Sequence, residues 1–294
     1  MPRPGLLGID DVLALQPAGH DLWRGRAHSG RPPRAFGGSV LAQALLAAGR
    51  TLDDDRRTHS LHAYFLRSVD PAGEPVEYRA DRQRDGLSYA TRQVTAYQHG
   101  RAVLSLQGSF KQPEPGLDRQ PERPTAPPPD ACHDPYAEMP DVPSEDGASP
   151  TIPRVLDLRL VPTSDAERAA GQAGLGRRRT WLRIAKPLPS GEPMLHEAAL
   201  AYLSDLTLSP TAALPWEPHR IRPGDPPEVM LASLDHALWI HRTPRADAWL
   251  LYSQRAARLS GGRALSHGEL WDEQGRLVAT VTQEALLRHR APTG

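Results

Sequence analysis

Three polar side chains fall where the sequence pattern calls for apolar ones: Gln283, Asp205 and Ser233. In the C-terminal run, Leu277, Ala279, Val281, Gln283, Ala285 and Leu287 share one strand face by the two-residue side-chain period. Gln283 is the polar member of that face. Asp205 closes a helical stripe formed with Ala198, Ala201 and Tyr202, at i, i+3, i+4 and i+7. In the strand expected from Val229 to Ile240, Ser233 shares its face with Val229, Leu231, Ala237 and Trp239. A buried carboxylate can act as a base, and an amide can donate and accept hydrogen bonds at once. Each residue also has a structural reading. A buried glutamine can bond to backbone, since an unsatisfied polar group costs about 1–3 kcal/mol. An acid at a helix end can be a cap or a solvated charge, and a strand hydroxyl can simply be tolerated. These residues alone leave both readings open.

The elements that carry them form a repeated plan. Phe36-Gly37-Gly38-Ser39 leads into Val40 to Ala48, rich in helix formers, with Gly49 as a stop. Strand-like runs follow at Ser60 to Val69, Val76 to Arg82, Tyr89 to Tyr97 and Val103 to Phe110, and His99-Gly100 signals a hairpin. In the second half, Glu197 to Leu208 reads as a helix ended by Pro210. Strand-like runs come next at Val229 to Ile240, Trp249 to Ala256, Ala264 to Trp271 and Leu277 to Leu287, with Gln274-Gly275 at the last turn. Gly100-Arg101-Ala102-Val103 resembles Gly275-Arg276-Leu277-Val278, and His62-Ala63-Tyr64-Phe65 resembles His236-Ala237-Leu238-Trp239. These matches, about 175 residues apart, predict a duplication. Gly108 is then the counterpart of Gln283. Between the halves, twelve of the 31 prolines fall from Pro113 to Pro153. Proline removes backbone donors, so this stretch predicts a connection rather than a central strand. The expected division is residues 1–115, a linker at 116–150, and 151–294.

Composition narrows the function classes. The 294 residues are 39% hydrophobic and 24% charged, as in an ordinary folded protein. Lys plus Arg equals Asp plus Glu at 35 each, so no basic excess points to nucleic acid. Cys132 is the lone cysteine, which rules out an internal disulfide and any multi-cysteine metal site. No run approaches the roughly 18 apolar residues of a membrane span, and the N-terminus lacks a signal-peptide core. A cytoplasmic protein is expected. There is no Gly-x-Ser-x-Gly elbow, no dinucleotide or Walker loop and no zincin motif; His196-Glu197 lacks the second histidine. No metal and no cofactor are expected.

The motifs together resemble the acyl-CoA thioesterase II family. They are Phe36-Gly37-Gly38, the run His59-Ser60-Leu61-His62-Ala63-Tyr64-Phe65-Leu66-Arg67, and Arg84-Asp85-Gly86. The second half adds Ala201-Tyr202-Leu203-Ser204-Asp205, Leu234-Asp235-His236, Trp249-Leu250-Leu251-Tyr252 and Gln283-Glu284. The resemblance covers most of the chain and is weakest in the proline-rich stretch. It implies an α+β double hot-dog fold, two tandem domains that each wrap an antiparallel sheet around a long helix. It implies hydrolysis of acyl-CoA, a homo-oligomer, and a catalytic trio falling on Asp205, Ser233 and Gln283. The chain has Ser at a position where some relatives have Thr. Two other readings compete. One is a non-catalytic acyl-CoA-binding protein. The other is a hot-dog enoyl-CoA hydratase or dehydratase using Asp235 and His236, which adjacent strand positions would turn to opposite faces.

Overall fold

The computed structural model describes residues 8–28, 34–137, 155–164, 167, 169, 175–216 and 229–289. In chain order these carry α1 (Ile9–Val12), β1 (Gln16–Gly19), β2 (Leu22–Gly25), α2 (Gly37–Gly49), β3 (Arg57–Phe65), β4 (Val76–Asp85), β5 (Tyr89–Gln98) and β6 (Arg101–Lys111). The second half has β7 (Leu156–Leu160), β8 (Arg177–Ile184), α3 (Pro193–Ser204), α4 (Leu208–Ala213), β9 (Val229–Ser233) and β10 (Asp235–Ile240). It ends with β11 (Leu250–Ser260), β12 (Arg263–Asp272) and β13 (Leu277–His289). The strands form one antiparallel sheet, β1-β2-β4-β5-β6-β3-β10-β13-β12-β11-β8-β7, with β9 added on β13. The halves join where β3 meets β10, pairing Leu61 with Leu238 and Ala63 with His236.

Helices α2 and α3 pack on each other inside this wrapped sheet. From Gly38 to Ala48 every α2 residue is buried, so the Ala/Leu-rich helix needs no solvent-facing side, and its two polar side chains are bonded: Ser39 Oγ donates to Phe36 O at 2.7 Å and Gln43 Nε2 to Val12 O at 2.6 Å. Close approach sets its start: a Cβ at Gly38 would lie 2.8 Å from the Tyr202 carbonyl oxygen of α3. This is the double hot-dog arrangement.

Several expectations change. The segment expected to be one strand, Val229 to Ile240, is two, broken at Leu234. Leu234 N–H donates to Glu284 O at 2.9 Å, and Leu234 O accepts from Phe65 N–H at 2.9 Å. The break shifts the side-chain phase. Ser233 therefore does not continue onto the face of Ala237 and Trp239. Trp239 is exposed, and His236 and Leu238 are buried. Pro210 does not end a helix; α3 stops at Ser204, and Pro210 sits in the first turn of α4, where its missing N–H costs nothing. Leu277 leaves the Gln283 face because a register shift at Leu270/Trp271 precedes it, and Val278 is buried. His99 and Gly100 both have positive φ and make the expected tight turn. The second hairpin instead spans Asp272 to Leu277, held by Arg276 N–H to Asp272 Oδ1 at 2.8 Å.

The duplication has one definite spacing. Gly100 to Gly275 and Gly108 to Gln283 are both 175 residues apart. Ala63 pairs with Leu106, and their counterparts at the same spacing, Leu238 and Val281, pair likewise. The counterpart of Leu61 is thus His236. The resemblance of His62 to His236 is one residue out of phase, and one residue flips every side chain to the other face. His62 is exposed and His236 is fully buried.

The described part of the proline-rich stretch lies against the second half. Trp181 Nε1 donates to Pro127 O at 2.8 Å, Arg179 donates to Thr125 O, and the Gln120 amide bonds Gly275 O and Leu277 N–H at 2.7 and 2.9 Å. Cys132 packs there with Trp181, Leu251 and Trp271.

Candidate active site

The C-terminal end of α3 meets the N-terminal end of α2. Asp205 is the C-cap of α3, and the Gly38 backbone N–H donates to its carboxylate. The first N–H groups of a helix have no acceptor within it, and that end favours negative charge. Glycine at 37 keeps space beside the carboxylate: a Cβ there would lie 3.0 Å from Asp205 Oδ2 and 3.1 Å from the Phe65 ring. Burial dominates the titration of Asp205. It pushes the carboxyl up from 3.8 to about 6, against the hydrogen bonds from Gln283 and Gly38 that favour the anion.

Gln283, fully buried on β13, donates from Nε2 to Asp205 Oδ1 at 2.6 Å. A carboxylate only accepts, so this contact fixes which end of the amide faces Asp205. The same Nε2 lies 3.2 Å from His236 Nδ1. Ser204 Oγ donates its one proton to Ala201 O at 2.8 Å, so at its 2.8 Å contact with His236 Nε2 it accepts. His236 therefore carries hydrogen on Nε2 and presents a lone pair on Nδ1 to Gln283. Complete burial holds this imidazole neutral, with its pKa lowered to about 3. Although Asp205 Oδ1 is 3.8 Å from Nδ1, the two do not form an ion pair in this tautomer. Both Gln283 N–H groups are thus taken. Gln283 Oε1 accepts from Ser209 Oγ at 2.8 Å, and Ser209 Oγ lies 3.2 Å from Ser233 Oγ.

Of the three residues singled out in the sequence, Asp205 and Gln283 touch directly. Ser233, paired with Ala285 across β9 and β13, joins them through Ser209. Sequence reasoning missed Ser209 and the Gly38 N–H, and weighed His236 only beside Asp235 in a competing reading. His236 escaped because a straight strand would have turned it to the face opposite Ser233. Ser209 escaped because Pro210 was read as the end of structure. The α3–α4 junction is clamped to the sheet by Tyr252 Oη to Ser204 O at 2.6 Å, Gln254 Nε2 to Leu206 O at 3.0 Å and Thr207 Oγ1 to Gln254 Oε1 at 2.8 Å. Thr207 takes a positive φ of 61° at this turn. Asp235 points the other way. It accepts from Glu284 N–H at 2.6 Å and lies 3.3 Å from His62 Nε2, so Asp235 and His236 do not share a site.

A raised carboxylate beside an amide and two hydroxyls, at a helix start, suits proton transfer from a water. Comparison with known proteins gives the chemistry a family. Residues 26–111 match the model of the acyl-CoA thioesterase N-terminal domain, and residues 129–287 that of the C-terminal domain. The chain belongs to the acyl-CoA thioesterase II family. Human acyl-coenzyme A thioesterase 8 is 33% identical over 291 residues, covering 95% of this chain and 88% of that protein. The crystal structure of acyl-CoA thioesterase II TesB2 from Mycobacterium marinum superimposes with a TM-score of 0.78 at 37% identity, over 97% of this chain and 99% of that one. A conserved protein with hot dog fold from Alicyclobacillus acidocaldarius, 22% identical, shares the fold with a TM-score of 0.75 over 96% of this chain and 98% of its own. As an acyl-CoA thioesterase, this protein is a hydrolase that cleaves acyl-CoA to a carboxylic acid and free CoA.

Proposed function

We propose that Asp205, Ser233 and Gln283 perform this hydrolysis by activating one water without a metal. The observation that carries the reading is the Asp205 carboxylate: buried, oriented by Gln283 and Gly38, and facing the space left open at Gly37. Water attacks the thioester carbonyl carbon while Asp205 takes its proton as general base. The tetrahedral intermediate collapses, the C–S bond breaks, and the CoA thiolate leaves and takes up a proton. Gln283 serves by holding the carboxylate, because neither of its N–H groups is left for water. The α2 N-terminus brings positive potential to the developing oxyanion.

Removing the base is the direct test. Asp205→Asn is expected to lower kcat by two or more orders of magnitude in a free-thiol release assay with acyl-CoA. Unchanged turnover would remove Asp205 from the mechanism.

The expected division at residues 1–115, 116–150 and 151–294 is supported by the two hot-dog halves. The described linker residues nevertheless pack on the second half; residues 138–150 lie outside the described residues. A cytoplasmic homo-oligomer that binds no nucleic acid remains our reading. It is supported by the balanced charge, the lone buried Cys132 and the exposed Tyr64 and Trp239 on the central strands. No helix among the described residues is long and apolar enough to cross a membrane.

A further inference from the structure

We infer that Ser209 is a positioning residue that turns Ser233 into a hydrogen-bond acceptor for the attacking water. This rests on the three-residue reading above and follows from counting protons. Gln283 Oε1 can only accept, since Nε2 must face Asp205, and Ser209 Oγ is the donor that reaches it, at 2.8 Å. A hydroxyl has one proton. Having given it to Gln283, Ser209 can meet Ser233 Oγ, 3.2 Å away, only by accepting. Ser233 then spends its own proton on Ser209, and only lone pairs remain to face the site.

The consequence is a specific water geometry. Asp205 and Ser233 each accept one of the water's two hydrogens, which leaves a water lone pair free to point at the thioester carbon. Were Ser233 to donate instead, it would take up one of the water's two lone pairs and leave one of its hydrogens without this acceptor, so the water would be a weaker nucleophile. The chain Ser233 to Ser209 to Gln283 to Asp205 also runs in one direction. The hydroxyl of Ser233 and the carboxylate are therefore ordered through the same amide. Ser209 is buried in α4 and touches Gln283 and Ser233 without reaching Asp205 itself, so it acts through them.

The test is a double-mutant cycle on the full chain with an acyl-CoA substrate, reading kcat and KM separately by thiol release. Ser209→Ala is expected to lower kcat roughly tenfold with KM changed less than about twofold. Ser209→Thr, which keeps the hydroxyl, should restore most of the rate. If the two serines act as one unit, Ser209→Ala combined with Ser233→Ala should lose less activity than the product of the two single losses. Full activity in Ser209→Ala beside an impaired Ser233→Ala would overturn the inference and leave the three-residue site standing. Multiplying losses in the double variant would do the same. Full activity in Ser233→Ala would overturn the three-residue site, and the role of Ser209 with it. A Ser209→Ala protein that fails to fold shifts the decision to Ser209→Thr, whose loss of activity at normal melting temperature would count against the inference.

Discussion

The same place in the two halves is built in two ways. In the second half, the inner face carries Ser233, His236 and Gln283, with Asp205 capping α3. At the 175-residue spacing, the first half has Thr58, Leu61 and Gly108, and α2 is capped by Arg50. Only the hydroxyl is kept. Beside Gly108, the paired position on β5 is Arg92, 1% exposed, which bonds Thr51 Oγ1 and Asp85 Oδ1. Beside Gln283 the paired position on β12 is the small Ser266. A buried acid does reach the first half, but from the other helix: Glu197 of α3 accepts the Thr58 backbone N–H at 2.9 Å. Burial raises its pKa, against the Thr58 N–H that favours the anion.

The fold therefore does not need the trio. One copy is packed without it, and each copy holds a carboxylate whose pKa burial raises, Glu197 in the first and Asp205 in the second. Asp205 titrates near 6 in the folded chain against 3.8 for the free group. The folded state holds the proton more tightly between those values, so stability falls as pH rises through that window. The loss is about 3 kcal/mol by the standard conversion.

The comparison can be broken at either copy. Making position 283 small, as in the first half, should have the larger effect. Gln283→Ala removes the 2.6 Å bond to Asp205 and the partner of Ser209, and kcat should fall about a hundredfold while circular dichroism stays that of the wild type. Wild-type turnover would mean that the glutamine is structural. The smallest effect belongs to the buried acid of the first half. Glu197→Gln keeps an oxygen for the Thr58 N–H, and kcat should stay within about twofold. A loss of tenfold or more would show that the first half also takes part.

Much of this was legible in the sequence because the signals were local. The α2 helix is announced by its Ala/Leu run between glycines, and β6 and β13 by alternation that made Gln283 conspicuous. Asp205 stood out on the Ala198–Ala201–Tyr202 stripe, all of which is buried. Other elements were hidden. In β8, which starts Arg177-Arg178-Arg179, both faces are covered around Trp181 and Leu182, the outer one by the linker, so no clean alternation marks it. In β7, Leu156, Leu158 and Leu160 do alternate, but five residues beside the proline-rich stretch make a short signal. The break at Leu234 depends on backbone partners in β3 and β13, which no local pattern encodes. That single break decided whether His236 faced the site, and with it the tautomer that engages Gln283.

The pH dependence of kcat/KM tests the central claim most directly, because it reports the ionisation of the free enzyme's base. With Asp205 as that base, the rate should climb as pH rises and level off above an apparent pKa of about 6. A rate that stays flat from about pH 4.5 to 8 in a folded enzyme would contradict it.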